Sequence, residues 1–315
     1  MGDRNQTGHE EATGGQEAGP GRSGLPIDGM DDVPRPIVAL GREYPDGFRI
    51  APHRHRRAQL ISSASGVVVL ASAAGVWVIP PQQGVWIPPE TVHWVRAVGR
   101  VRMQSLYLEP GAFPGTPTRC QVVGLSPLMR SLIAEALELP AEYDLGGRSG
   151  ALMALIGHEM GRLPELPLSL QYPADPGLAA RCRAFAERPA VHETIDDWAA
   201  ALGMSRRSFT RFFRRETGSS FMAWRRQACL LHALPRLAAG AAVTTVAMDL
   251  GYENPAAFTL MFRRTFGSPP LAYLGLRAGA AEEGRPPEAG VAGPAADRGE
   301  GSRMSDGPGR APART

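Results

Sequence analysis

Between residues 37 and 108 the chain runs in short apolar stretches, RPIVAL, FRIAP, AQLISSASG, VVVLAS, GVWVIP, GVWIP, VHWVRAV and VRMQSLYL, parted by turn residues at close intervals. Strand-length runs at that spacing predict a small all-β barrel or sandwich. The period then changes. Residues 126–139 place Leu128, Leu132, Ile133, Ala136 and Leu137 at helical spacing, and residues 148–163 do the same with Leu152, Leu155, Ile156 and Met160. Two amphipathic helices are predicted there. The Pro-rich LPELPLSLQYPADP that follows, residues 163–176, reads as an interdomain linker stiffened by its prolines.

From Thr194 onward one plan occurs twice. Thr194 and Asp197 form a T-x-x-D capping box, so a helix starts at Ile195, with Trp198, Ala199 and Leu202 on its buried face and Gly203 in the turn after it. Ser205 caps a second helix whose Phe209, Phe212 and Phe213 point inward. Its outer face carries Arg206, Arg207, Thr210, Arg211, Arg214 and Arg215. In the second copy Val243, Val246, Ala247 and Leu250 line the first helix and Gly251 makes the turn. Asn254 and Pro255 open the second helix, Phe258, Met261, Phe262 and Phe266 face inward, and Arg263 and Arg264 stand near its far end. This is a helix-turn-helix repeated, and an Arg-rich face at the start of the second helix is where such motifs read bases in a major groove.

The stretch from Ala200 to Gly218, the WRRQA around Trp224, and GYENPAAF followed by FRRTFGSPP resemble the AraC/XylS family of bacterial transcription regulators over about residues 178–277. The resemblance implies two helix-turn-helix units joined by a linker helix and set in successive major grooves. It places base contacts at Arg207, Thr210 and Arg211 in the first unit and Pro255, Ala256 and Leu260 in the second, with Asn254 and Thr259 beside them. The second set offers little to hydrogen-bond a base edge, so the first unit is expected to carry most direct readout. Arg206, Arg214, Arg215, Arg263 and Arg264 are expected on phosphates. Pro235 within the linker helix is expected to kink or divide it.

Inside the β region lie Gly47, His53, His55, Gln59 and Gly66, then Pro88, Glu90 and His93. Their spacings resemble the two motifs of the cupin fold, in which three imidazoles and a carboxylate converge on a divalent metal. Here Gln59 stands where the carboxylate belongs and Glu90 where a turn Gly does. Two readings follow: His53, His55 and His93 hold a divalent metal, or His53, His55, Gln59, Trp86 and His93 line a pocket for an organic effector. Trp77, Trp86 and Trp94 fit an aromatic effector pocket, although Trp in a small β domain is more often core or rim. The run Arg54, Arg56 and Arg57 reads as a solvated face. The stretch VIPPQQGVWIPPETVH resembles the branch that includes nitroimidazole-resistance regulators, which suggests a neighbouring efflux transporter gene as target.

Charge sharpens this picture. The net charge is only +3, yet residues 181–277 hold 14 arginines against 7 acids. A basic module on a mildly acidic remainder suits nucleic acid better than a membrane. Three scattered cysteines, 120, 182 and 229, predict reduced thiols in a cytoplasmic protein, and no apolar run is long enough to span a bilayer.

The expectation is an α+β chain: a tail over 1–33, a cupin-like effector domain over 34–110, helices that pair two subunits over 111–165, a linker over 166–177, an AraC-type DNA-binding domain over 178–277, and a tail over 278–315. Both tails are expected to be disordered. Expected partners are promoter DNA, a small-molecule effector, a second copy of the chain and, in an activator, RNA polymerase. The competing readings are a metal-dependent cupin oxygenase or isomerase fused to a DNA-binding module, and a regulator with no effector, whose barrel would be filled by side chains.

Overall fold

Two long strands organise the β domain in the computed structural model, which describes residues 29–275. In chain order the strands are Ile37–Tyr44 (β1), Arg49–His53 (β2), Ala58–Ser72 (β3), Gly75–Ile79 (β4), Gln83–Ile87 (β5), His93–Leu108 (β6), Gln121–Gly124 (β7) and Ser169–Gln171 (β8). They form one antiparallel sheet with the path β1-β6-β3-β4-β8, on which β2 pairs with β6, β5 with β3, and β7 with β5. The expected AQLISSASG and VVVLAS strands are a single strand, as are VHWVRAV and VRMQSLYL. Their pairing shifts register between Ser63 and Val67, so one continuous ladder bends across the domain. Gly66 sits in the bend at φ +72°, where a Cβ would lie 2.7 Å from the Arg100 carbonyl oxygen. Only glycine fits that approach.

The helices are Pro127–Ala136 (α1), Arg148–Met160 (α2), Pro176–Glu187 (α3), Ile195–Ala201 (α4), Arg206–Thr217 (α5), Phe221–Ala238 (α6), Val243–Asp249 (α7), Pro255–Phe266 (α8) and Pro270–Tyr273 (α9). Met129, Ile133, Leu152, Met153 and Ile156 bury α1 and α2 in one cluster with Leu60, Trp86 and Leu106 of the sheet. Their exposed side keeps Leu128 (48%) and Leu155 (41%) in solvent, as the loop between them does Leu145 (57%).

Two expectations about connections change. The Pro-rich segment is no free linker: Val78 and Leu166 donate backbone bonds to Leu168 and Val122, and β8 pairs with β4. Leu168 and Leu170 are buried there, which is why the segment docks. The linker helix α6 is also undivided. Pro235 lies in its last turn, where the missing N–H costs a single intrahelical bond before the helix ends at Ala238.

The tails lie outside the described residues except for 29–33. Met30 and Val33 are buried against Val38, Leu40 and Tyr107. This corrects the inner end of the tail and, of the three arginines, Arg57 alone; Arg54 and Arg56 are exposed. Arg57 is 2% exposed, and its guanidinium donates to the carbonyls of Val33 and Arg35 and pairs with Glu109 at 3.1 Å. Asp31 in turn accepts from the backbone N–H groups of Arg56 and Arg57.

Candidate nucleic-acid interface and ligand sites

The first helix-turn-helix is built on Trp198. The capping box forms as expected, with Asp197 N–H on Thr194 Oγ1 and Thr194 N–H on the Asp197 carboxylate, so α4 starts at a set point. Trp198 is then fully buried among Phe185, Phe209, Phe213, Phe221 and Trp224, and its Nε1 donates to Glu193 at 2.6 Å. Arg181 covers its outer face at 4.6 Å. With Phe209 and Phe213 anchored, the opposite face of α5 has to be solvent.

That face differs residue by residue. Arg206 is ion-paired with Asp196 at 2.9 Å and Arg215 with Glu216 at 3.1 Å, while Thr210 returns its hydroxyl to the Arg206 carbonyl at 2.7 Å. Arg207, Arg211 and Arg214, one helical stripe, are exposed and make no ion pair or hydrogen bond among the described residues. Phe212, expected inside, is half-buried with the Arg215 guanidinium 5.3 Å above its ring.

The second unit repeats the scaffold with less chemistry outside. Asn254, expected on DNA, spends its Oδ1 on the Ala256 N–H at 2.8 Å as helix cap. Thr259 is half-buried, Ala256 is exposed, and Leu260 is 51% exposed. Arg263 and Arg264 are exposed in the last turn without an ion pair among the described residues.

In the β domain His53, His55 and His93 converge, with ligand nitrogens all within 4.8 Å of one another. Each ring is held the same way. Nδ1 of His53 donates to the Ala51 carbonyl at 2.9 Å, that of His55 to Arg57 at 2.5 Å and that of His93 to Thr91 at 2.8 Å. A carbonyl only accepts, so each Nδ1 carries a proton, which leaves the Nε2 of each ring as the nitrogen turned toward the other two. The Nε2 of His93 is buried with no hydrogen-bond partner among the described residues. Burial first, and then the neighbouring His53 and His55, push His93 down to about 4, so it is neutral at pH 7. The Gln59 Oε1, an acceptor, lies 2.9 Å from the His55 Nε2, and the Gln59 Nε2 donates to Ser105 at 3.2 Å.

The free space beside these rings is about 20 Å³, between Leu40, Tyr44, Ile61, Met103 and Tyr107. That is room for an ion or one water. Trp86 is not part of this site. It faces the α1–α2 side, where its Nε1 donates to Pro117 at 2.7 Å. Trp77 is core, its Nε1 bonded to the Cys120 carbonyl at 3.2 Å. Trp94 lines a different and larger cleft between the sheet and α6, together with Arg49 and Arg96, which sequence reasoning did not single out. Only their cross-strand register brings those two arginines together, and no local pattern announces it.

Comparison with known proteins falls in the same two places. Residues 198–275 match a family model described as a helix-turn-helix domain, and residues 35–156 one described as an AraC-like ligand binding domain. The chain is 30% identical over 222 residues to the HTH-type transcriptional regulator NimR of Escherichia coli K12, spanning 70% of this chain and 81% of that protein. It is 29% identical over 126 residues to the HTH-type transcriptional regulator RipA of Corynebacterium glutamicum, 40% of this chain and 37% of that one. Among solved structures, the DNA-binding domain of AdpA in complex with a target DNA is 35% identical, covering 30% of this chain and 88% of that one at a TM-score of 0.29.

Proposed function

The chain belongs to the AraC-type helix-turn-helix transcriptional regulators, with an AraC-like ligand-binding domain ahead of the DNA-binding one, and from that premise we propose how its residues divide the work. Arg207, Thr210 and Arg211 read bases, Arg211 or Arg207 pairing with a guanine. Arg206, Arg214, Arg215, Arg263 and Arg264 hold phosphates, with Asn254, Ala256 and Thr259 at the second groove. The observation that carries this reading is the stripe of Arg207, Arg211 and Arg214, which makes no ion pair or hydrogen bond among the described residues, on a helix anchored by buried Phe209 and Phe213. Unpaired guanidinium groups at the start of a recognition helix are poised for bidentate contact with guanine.

Fluorescence anisotropy on the DNA flanking the gene, at two salt concentrations and against scrambled duplex, tests it. Arg211→Ala should relax preference at one base and cost about 1–3 kcal/mol. Arg264→Ala should weaken all sequences alike and lower the salt slope by about 1. If Arg211→Ala kept the wild-type ratio of operator to scrambled binding, the base-reading assignment would be wrong.

For the ligand-binding domain we propose a divalent transition metal as effector or structural ion, held by Nε2 of His53, His55 and His93. Three imidazoles whose Nδ1 atoms are oriented by backbone carbonyls suit zinc, nickel, iron or copper. The orphaned His93 Nε2 and the ion-sized space support it. Bound there, the metal supplies a cross-link between β2 and β6. Calorimetric titration of chelator-treated protein with zinc should show one ion per chain, lost in His93→Ala. Heat indistinguishable between the two would remove the metal from the account.

The other features belong to the same reading. The named relatives are transcriptional regulators, and Tyr107, also in the barrel interior, is held well above the usual phenol range by burial, so it supplies no base near neutrality. We take the protein to be a regulator and not an enzyme. It works as a cytoplasmic homodimer paired through the exposed face of α1 and α2, and contacts RNA polymerase where it activates. A neighbouring efflux gene is the proposed target. No helix among the described residues is long and apolar enough to cross a membrane.

A further inference from the structure

We infer that Leu260, with Ala256 one turn before it, makes the second helix-turn-helix a reader of thymine through its C5-methyl group, so that the two units select by different chemistry. This rests on the base-reading scheme proposed above and names what its second half recognises. The helix α8 repeats α5 position for position. Asn254 caps α8 as Ser205 caps α5, Phe258 and Phe262 are buried where Phe209 and Phe213 are, and Gly267 ends the helix in the left-handed region as Gly218 does.

With the two helices aligned on these anchors, the outward residues of α8 have counterparts on α5. Arg263 and Arg264 stand where Arg214 and Arg215 do, and Thr259 where Thr210 does. Ala256 and Leu260 stand where Arg207 and Arg211 do. The phosphate end of the face is therefore kept, while both base-reading guanidinium groups are replaced by apolar side chains. Leu260 is 51% exposed, a large apolar group left in water although Phe258 and Phe262 anchor the opposite face. Asn254 cannot restore polar readout in full. A bidentate contact with adenine needs both ends of the amide, and its Oδ1 is on the Ala256 N–H at 2.8 Å.

The side chains of leucine and alanine carry no donor or acceptor. Set against a G·C pair or an adenine edge, they strip water from N7, O6 or the amino groups and give no hydrogen bond back. The apolar group that the major groove displays is the C5-methyl of thymine. Covering it removes apolar surface from water on both sides of the contact. Thymine is therefore preferred twice, by the gain at its own methyl and by the loss at the other bases. Arg263 and Arg264, one turn further along the same helix, supply the charge that holds it on the backbone, so selection and bulk affinity lie on different residues.

The test enriches duplexes bound by the full chain from a random library, then remakes the enriched duplex with deoxyuridine for thymine, one position at a time, which removes a methyl and nothing else. Loss of the methyl read by α8 should weaken the parent about 3- to 10-fold, the worth of burying one or two carbons. Leu260→Ala should weaken the thymine duplex by a similar factor and lose nothing further on the deoxyuridine duplex, with an unchanged Tm because the side chain is exposed. Arg211→Ala should keep the full sensitivity to that methyl while it loses preference at its own base, which separates the two halves of the scheme. Enriched sequences without a fixed thymine, deoxyuridine without effect at every position, or equal losses by Leu260→Ala on both duplexes would overturn the thymine assignment and leave the arginine reading standing. Failure to enrich any sequence would overturn both.

Discussion

Among the described residues nothing answers Arg207, Arg211 and Arg214, whereas Arg206 and Arg215, of the same type and on the same helix, pair with Asp196 and Glu216. Residue identity alone did not separate these two groups. At Glu90 identity and geometry disagree openly: the residue stands where a turn glycine was expected and adopts φ 56°, the left-handed region that glycine favours. Its N–H donates to the His55 carbonyl at 3.0 Å and its carboxylate lies 3.5 Å from Arg54, so the turn is kept by its bonds. The cysteines are a further case where surroundings decide chemistry. Cys120, Cys182 and Cys229 are all buried free thiols, pushed up by burial to about 11, about 12 and about 12. With so little thiolate at pH 8, folded protein should not react with a disulfide reagent such as Ellman's on the minute scale. Addition of denaturant should release three reactive thiols, and rapid labelling of the native state would contradict the burial.

At the scale of elements, each helix-turn-helix depends on a glycine in the left-handed region, but the two turns differ in their neighbours. Gly203, φ +64°, has open space where a Cβ would go. Gly251, φ +86°, would put that Cβ 2.7 Å from His192 and 3.4 Å from Val191. Gly203→Ala should therefore cost only the backbone term, about 1–2 kcal/mol. Gly251→Ala should cost more, because the segment joining α3 to α4 has to move as well. Denaturant midpoints measured on both variants check this, and equal losses would mean that His192 gives way freely. The amphipathic pattern of α1 and α2 was legible in the sequence, but not which apolar residues it buries. Ile133, Ala136 and Met129 turn to the sheet, while Leu128 and Leu155 remain in water. Helical spacing marks an apolar stripe wider than one neighbour covers.

At the scale of the molecule, those exposed leucines bear on assembly. If α1 and α2 pair two subunits as proposed, Leu128→Asp with Leu155→Asp should shift sedimentation from dimer to monomer with little change in Tm, since neither side chain is in the core. A variant that remains dimeric would place the interface elsewhere. The assembled chain is also where sequence and structure part. The repeated helix-turn-helix, its capping box, its turn glycines and the strand content of the β domain follow from the sequence alone. Capping, φ preference and apolar period act within a few residues of one another, and the chain states them directly. The convergence of His53 and His55 with His93 was legible only as a motif spacing. That their Nδ1 atoms are all pinned by backbone carbonyls was not. The docking of the Pro-rich segment as β8, the burial of Arg57 over residues 31–35, and the meeting of Arg49 with Arg96 beneath α6 were decided by tertiary structure. Each joins positions tens of residues apart whose side chains carry no local signal of their partners, so only the register of the folded sheet could bring them together.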